Sequence, residues 1–342
     1  MKNKGRKIFT QLHPLKTPVL FLIFNRLDTT RQVFEAIRQA KPPRLYIAAD
    51  GPRDDKLEED QKVQAIREYV VNNINWDCEV KTLFREKNLG CRYAVSGGIT
   101  WFFENEEMGI VLEDDCLPSL SFFWFCEELL ERYRQDTRVM VISGDYFHGK
   151  AHEPVHSYFF SRYNHCWGWA SWRRAWQFYD RDMGQWPRLR KTDWLIRVGD
   201  SHRDFREYWK KIFDAAHAGK ADTWDYQWTF SCWVQNGLTV LPLRNLVKNI
   251  GFGQDSTHTK GDGGWIARLP LEFITFPLSH PDQVARDKVA DRWSDLNVIG
   301  TKVSCHKRIV RKIPGAKGFY KIFASLFHAL KITDKAKAKF RQ

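Results

Sequence analysis

Three consecutive carboxylates, Glu113, Asp114 and Asp115, directly follow the apolar run Ile110-Val111-Leu112 and stand shortly before Pro118. A short all-apolar run reads as a buried parallel strand. In open α/β sheets ligands sit outside the carboxyl ends of the strands, so these acids belong on the rim of a crevice. Adjacent carboxylates repel, and a hard divalent cation with its preference for oxygen would neutralise them; Mg2+ or Mn2+ holding a diphosphate is the natural occupant. An acidic loop bonded to nearby amides is the plainer alternative. Arg26 and Asp50 each follow another strand-like run and project at the same edge. There a guanidinium can pair with phosphate, and a carboxylate can accept from a ribose hydroxyl or a base N–H. Asp225, in TWDYQW (223–228), is the candidate general base. Trp224 and Trp228 are four residues apart, share a helix face, and would set it near a partly apolar pocket that raises a carboxylate's pKa. Capping of that helix by Asp222 or Asp225 is the competing role. His258, in the loop GFGQDSTH (251–258), is a candidate ligand for the metal or for a phosphate.

The elements that must position these residues alternate. PVLFLIF (18–24), Arg44–Ala49, Glu79–Phe84 and the run ending at Leu112 read as strands. Between them lie helical stretches: one capped by Asp28-Thr29-Thr30 with Val33, Phe34 and Ile37 on one face, one from the acid-rich Asp54–Asp60 to about Val71, and one from about Arg92 to Phe103. Strand and helix in alternation imply right-handed crossovers and a parallel sheet. A helix over Phe122–Tyr133, a strand over Val139–Ser143 and a strand over Leu238–Leu241 follow. Ten of the 15 tryptophans fall between His165 and Trp233, where they fill a core or line a pocket that stacks on sugars or bases.

The chain has 342 residues and a formal net charge of +13. Residues 301–342 hold 12 Lys/Arg against one acid and residues 1–16 hold five Lys/Arg and no acid, which leaves 37 bases and 40 acids between them. A slightly acidic body argues against nucleic acid, which needs a basic face on the domain itself. The basic tail, with Phe319–Leu330 as a short interfacial helix, suits an anionic membrane surface instead. Seven cysteines without metal-ligand spacing point to reduced thiols and a cytoplasmic location, and neither a signal peptide nor a membrane span is evident. The glycine-rich dinucleotide fingerprint, the Walker sequence and the G-x-S-x-G elbow are all missing.

The order of FNR (24–26), ADGP (49–52), NLGCRYAVSGGI (88–99), VLEDD (111–115), VISGDYF (141–147), GWASW (168–172), WDYQW (224–228) and GFGQDSTHT (251–259) resembles glycosyltransferases of the GT-A fold. The resemblance is to the N-acetylglucosaminyltransferase I family and to bacterial sugar transferases carrying a hemolytic-protein label. It implies a Rossmann-like, mostly parallel sheet flanked by helices, with a nucleotide-sugar half at 17–150 and an aromatic-rich acceptor half at 151–295. A basic segment at 1–16 and a basic amphipathic tail at 296–342 flank them. It further implies Asp115 as the direct ligand of Mn2+ or Mg2+, and Arg26, Asp50, Arg92, Glu113, Asp114 and Trp169 at the nucleoside-diphosphate sugar, although the histidine that the animal enzyme has near Arg92 is absent. Asp225 would be the base for a glycan or glycolipid hydroxyl in an inverting, UDP-sugar-dependent transfer. Two rivals are a sugar nucleotidyltransferase, which would need a glycine-rich loop where FNRLDTT stands, and a non-catalytic carbohydrate- or membrane-binding protein.

Overall fold

The computed structural model describes residues 9, 11–152, 155–252 and 264–301. His258, most of the first ten residues and the tail from residue 302 lie outside the described residues. Among the described residues no helix is long and apolar enough to cross a membrane.

The elements run β1 (Val19–Ile23), α1 (Leu27–Ala40), β2 (Arg44–Ala49), α2 (Glu59–Asn72), β3 (Glu79–Phe84), α3 (Cys91–Asn105), β4 (Met108–Glu113), β5 (Cys116–Pro118), α4 (Leu120–Arg132) and β6 (Val139–Ser143). There follow β7 (Tyr158–Ser161), β8 (Trp169–Trp172), three short helices α5 (Arg173–Trp176), α6 (Trp186–Leu189) and α7 (Trp194–Val198), then α8 (Arg203–His217), α9 (Asp225–Val234), β9 (Leu238–Pro242), β10 (Val247–Asn249) and α10 (Lys288–Asn297). Eight strands form one sheet in the order β3-β2-β1-β4-β8-β6-β9-β7, and β5 pairs with β10 in a small second one. The architecture is a mixed, Rossmann-like α/β sandwich. Strands β1, β2, β3 and β4 are mutually parallel, as are β6 and β9.

Sequence alternation thus locates the parallel half, and β1 is buried along its whole length, as a strand covered on both faces must be. Two expectations shift. The first helix begins at Leu27 with Arg26 in the capping position, so Asp28 and Thr30 lie inside its first turn, where the Thr30 hydroxyl donates back to the Arg26 carbonyl at 2.6 Å. The sheet is also less parallel than alternation suggests. Strand β8 is antiparallel to both β4 and β6, and β7 is antiparallel to β9. Neither strand has an alternating pattern to announce it, because both are buried on each face.

Helices α1, α2 and α4 cover one face of the sheet, packing on Val19, Phe21, Ile23 and Leu112. The other face, presenting Leu20, Leu22 and Val111, is covered by α3 and the tryptophan-rich helices. Helix α3 comes close because Gly98 faces Ala48 and Leu22, where a side-chain carbon would stand 3.1 Å from each. Nine of the ten clustered tryptophans are buried; only Trp167 is partly exposed. The density of indoles is therefore mainly core, which stabilises this layer by roughly 25 cal/mol for each Å2 removed from water. Helix α10 was not foreseen. It docks through a buried ion network in which Arg162 meets Asp295 at 2.7 Å and Arg286 meets Asp291 at 3.3 Å.

Candidate functional site

Parallel strands β1, β2 and β4 end at one edge, so the residues just beyond them converge. Beyond β1, the Arg26 guanidinium binds Asp114 at 2.6 Å and Asp115 at 3.0 Å. Asp114, almost fully buried, also accepts the backbone N–H of Phe24 at 3.2 Å. Burial, opposed by Arg26, pushes Asp114 up to about 6. Glu113 goes up to about 8, first through burial and then through the charges of Asp115, Asp114 and Asp225. One arginine therefore faces three acids, and the cluster carries more negative charge than the protein neutralises.

The next loop closes on this cluster. Strand β10 pairs with β5, and the N–H of Ile250 donates to the Asp115 carbonyl at 2.7 Å. Gly251 then passes so near that a Cβ there would lie 2.6 Å from Nη1 of Arg26 and 2.7 Å from Cβ of Asp115. Only glycine fits. His258 follows in the same loop, outside the described residues.

Asp50, beyond β2, uses its carboxylate on the neighbouring turn, accepting from Leu89 N at 3.0 Å and Gly90 N at 3.1 Å. Burial raises it above the usual range, against these bonds. It stands at the expected edge and holds the loop that starts α3. Asp225, the first residue of α9, takes a hydrogen bond from the Thr223 hydroxyl, and its neighbours Trp224 and Trp228 are buried. Its charge is felt by Glu113, Cys91, Cys166 and Tyr179. Asp225 thus stands at the start of α9, near enough for its charge to act on Glu113.

Two residues expected at the donor lie elsewhere. The Arg92 guanidinium turns inward and donates to the Arg181 carbonyl at 2.7 Å, so the residue is largely buried and ties α3 to the segment after α5. Trp169 is a β8 core residue, 1% exposed, with its ring stacked 5.7 Å from Trp224. An inward-facing position between two covered strands keeps its indole from solvent.

Among the described residues no group of three or more His, Cys, Asp or Glu side chains forms a ready metal shell. The donor chemistry nonetheless fits a hard cation. Asp115 and Glu113 offer carboxylate oxygens in an anionic pocket, and such ions complete their coordination with water and phosphate oxygens.

No family model matches the chain, and no curated protein does. Among solved structures it is similar to the mannosyltransferase PcManGT from Pyrobaculum calidifontis, solved with GDP-Man and Mn2+, at 12% identity and a TM-score of 0.31 over 52% of this chain and 47% of that one. HddC from Yersinia pseudotuberculosis matches at 11% identity and a TM-score of 0.29, over 46% of this chain and 77% of that one. Mouse xyloside xylosyltransferase 1 matches at 10% identity and a TM-score of 0.31, over 64% of this chain and 81% of that one. The match spans about half the length of the mannosyltransferase. At these scores the likeness carries nothing about function, and the site stands on its own geometry.

Sequence reasoning gave one acid at this edge the wrong helix and passed over another. Asp222 caps α3 rather than its own helix, accepting from Cys91 N at 3.0 Å and Arg92 N at 2.9 Å, which joins the two halves of the chain beside Asp225. Asp145, in VISGDYF, is buried beyond β6. Its motif was visible, but no spacing rule assigns it a partner.

Proposed function

We propose that the chain is a metal-assisted, inverting glycosyltransferase that moves a sugar from a nucleoside-diphosphate donor to a hydroxyl of a glycan or glycolipid. The observation that supports this reading best is the acid triplet Glu113 to Asp115, gathered under Arg26 at the strand edge where α/β sheets bind nucleotides, with the charge of Asp225 acting on Glu113 from the start of α9. Asp115 and Glu113 would hold Mn2+ or Mg2+, which when bound supplies positive charge to the diphosphate leaving group. Arg26 orients Asp114 and Asp115 and adds its own charge at the same edge. Asp225 takes the proton of the acceptor hydroxyl as its oxygen bonds to the anomeric carbon and the bond from that carbon to the phosphate oxygen breaks. One displacement from the opposite face inverts the configuration and requires no second carboxylate nucleophile. Asp50, beyond β2, is assigned to the nucleoside side of the donor.

Purified protein titrated with UDP, with and without Mn2+, tests this reading. Asp115→Ala should abolish the metal-dependent part of UDP binding. Asp225→Asn should keep that binding and lower transfer about 100-fold or more. Near-normal transfer by Asp225→Asn would remove it as the base, and UDP binding indifferent to Mn2+ would remove the metal.

A further inference from the structure

Trp167, the one clustered tryptophan left partly exposed, is held at the sheet edge by two crowded glycines. Gly144, just after β6, donates its N–H to the Gly168 carbonyl at 2.9 Å and accepts from Leu246 N at 2.8 Å. A Cβ on Gly144 would stand 2.9 Å from the Phe122 ring, and one on Gly168, whose φ is +76°, would stand 2.7 Å from Val247. The pinned glycines bring the segment Ser143-Gly144-Asp145 alongside Trp167-Gly168.

There the N–H of Trp167 donates to Oδ2 of Asp145 at 3.2 Å. Asp145 is fully buried, and its other oxygen, Oδ1, has no hydrogen-bond partner among the described residues. A buried carboxylate oxygen left unpaired is costly, so such a group calls for a donor that the protein itself does not provide. Rings surround it. Trp167 lies 5.6 Å from Phe147 and 5.6 Å from Phe252, and Phe147 lies 4.5 Å from His165. Phe252 directly follows Gly251, the residue pressed against Asp115. The Cys166 thiol, next to Trp167, is raised by burial and then by the charges of Asp225, Glu113 and Asp145.

We infer that Asp145, with the partly exposed rings of Trp167 and Phe252, forms a subsite for a hexopyranose ring beside the acid cluster. The unpaired Oδ1 side of the Asp145 carboxyl exchanges hydrogen bonds with ring hydroxyls, and the aromatic faces pack on the ring's C–H face. The assignment rests on the proposed sugar transfer for which reactant brings the ring, donor or acceptor; the subsite itself does not require it.

The test compares wild type, Asp145→Asn and Trp167→Leu for binding of UDP, of UDP-glucose and UDP-N-acetylglucosamine with Mn2+, and of the methyl glycosides of glucose, galactose, mannose and N-acetylglucosamine by saturation-transfer NMR. Both variants should bind UDP within about twofold of wild type and lose about tenfold or more in affinity for a sugar-bearing probe. Loss confined to the UDP-sugars assigns the ring to the donor, and loss confined to a methyl glycoside assigns it to the acceptor. Folded variants that bind every sugar probe as wild type does would overturn the subsite, as would a wild type that binds UDP but no sugar. A wild type that binds a methyl glycoside but no UDP would keep the subsite and defeat the transferase reading. Trp167→Leu provides the test if Asp145→Asn does not fold.

Discussion

Gly251→Ala is the sharpest probe of the site, because it adds one carbon and no charge. That carbon would stand 2.6 Å from the Arg26 guanidinium and still closer to the Asp115 carboxylate, whereas unstrained carbon contacts begin near ~3.5 Å. The Arg26–Asp115 pair, or the loop, must therefore yield by roughly 1 Å. Overpacking of this kind costs about 1–3 kcal/mol of stability. A displacement of that size at a reacting centre costs on the order of 100-fold in rate. Titration calorimetry of Mn2+ and UDP reads the displacement as lost affinity, and thermal melting reads the lost stability. Gly184→Ala is the control, since a Cβ there makes only an ordinary 3.6 Å contact with Asp180. We expect Gly251→Ala to lose metal-dependent UDP binding and Gly184→Ala to keep it. Wild-type affinity in Gly251→Ala would show that the loop yields instead, and that close packing by Gly251 does not fix the Asp115 carboxylate.

Three further outcomes follow from the geometry. Arg26→Gln leaves Asp114 buried without its cation; stability should drop by about 3 kcal/mol, with millimolar Mn2+ restoring part of it in a melting assay, and no recovery would speak against a cation at these acids. Asp222→Ala removes the acceptor for two α3 amides and should cost about 1–2 kcal/mol in chemical denaturation; an unchanged midpoint would mean that water replaces the cap. His148, pushed down to about 4 by burial, stays neutral in the fold while the unfolded chain protonates near 6.5. Its contribution, about 3 kcal/mol, is complete above pH 6.5 and is lost as pH falls toward 4. Asp291, pushed up to about 6 by burial, acts in the opposite direction, so the measurement is the difference in melting temperature between wild type and His148→Gln across that range. A constant difference would refute it.

The parallel half of the fold was legible because its inner strands are short, largely apolar and separated by helices of the right length, as β1, β2 and β4 illustrate. The convergence of Arg26, Asp50 and the acid triplet at one edge follows from strand direction alone. Antiparallel β8 was not legible. Its four residues are Trp-Ala-Ser-Trp, buried on both faces, and a composition reading groups them with the surrounding indoles. Arg92 was misplaced because a motif gives position along the chain and not the direction of a long side chain, which here goes to a carbonyl in the other half. That Trp169 is a core indole while Trp167, two residues earlier, is partly exposed was not legible either, because composition does not separate neighbouring indoles. Asp222 was seen as a helix cap, but which helix it caps depends on contacts 130 residues apart in sequence.

The wedging of β8 between β4 and β6 has a consequence for engineering. A chimera that exchanged everything after residue 150 for the matching portion of another protein would have to rebuild the middle of a continuous hydrogen-bonded ladder, with a foreign strand paired on both sides. The segment from α5 to α9 contributes no strand, so it can be varied with the ladder left whole, provided that Arg181 and Asp222, which tie it to α3, are kept.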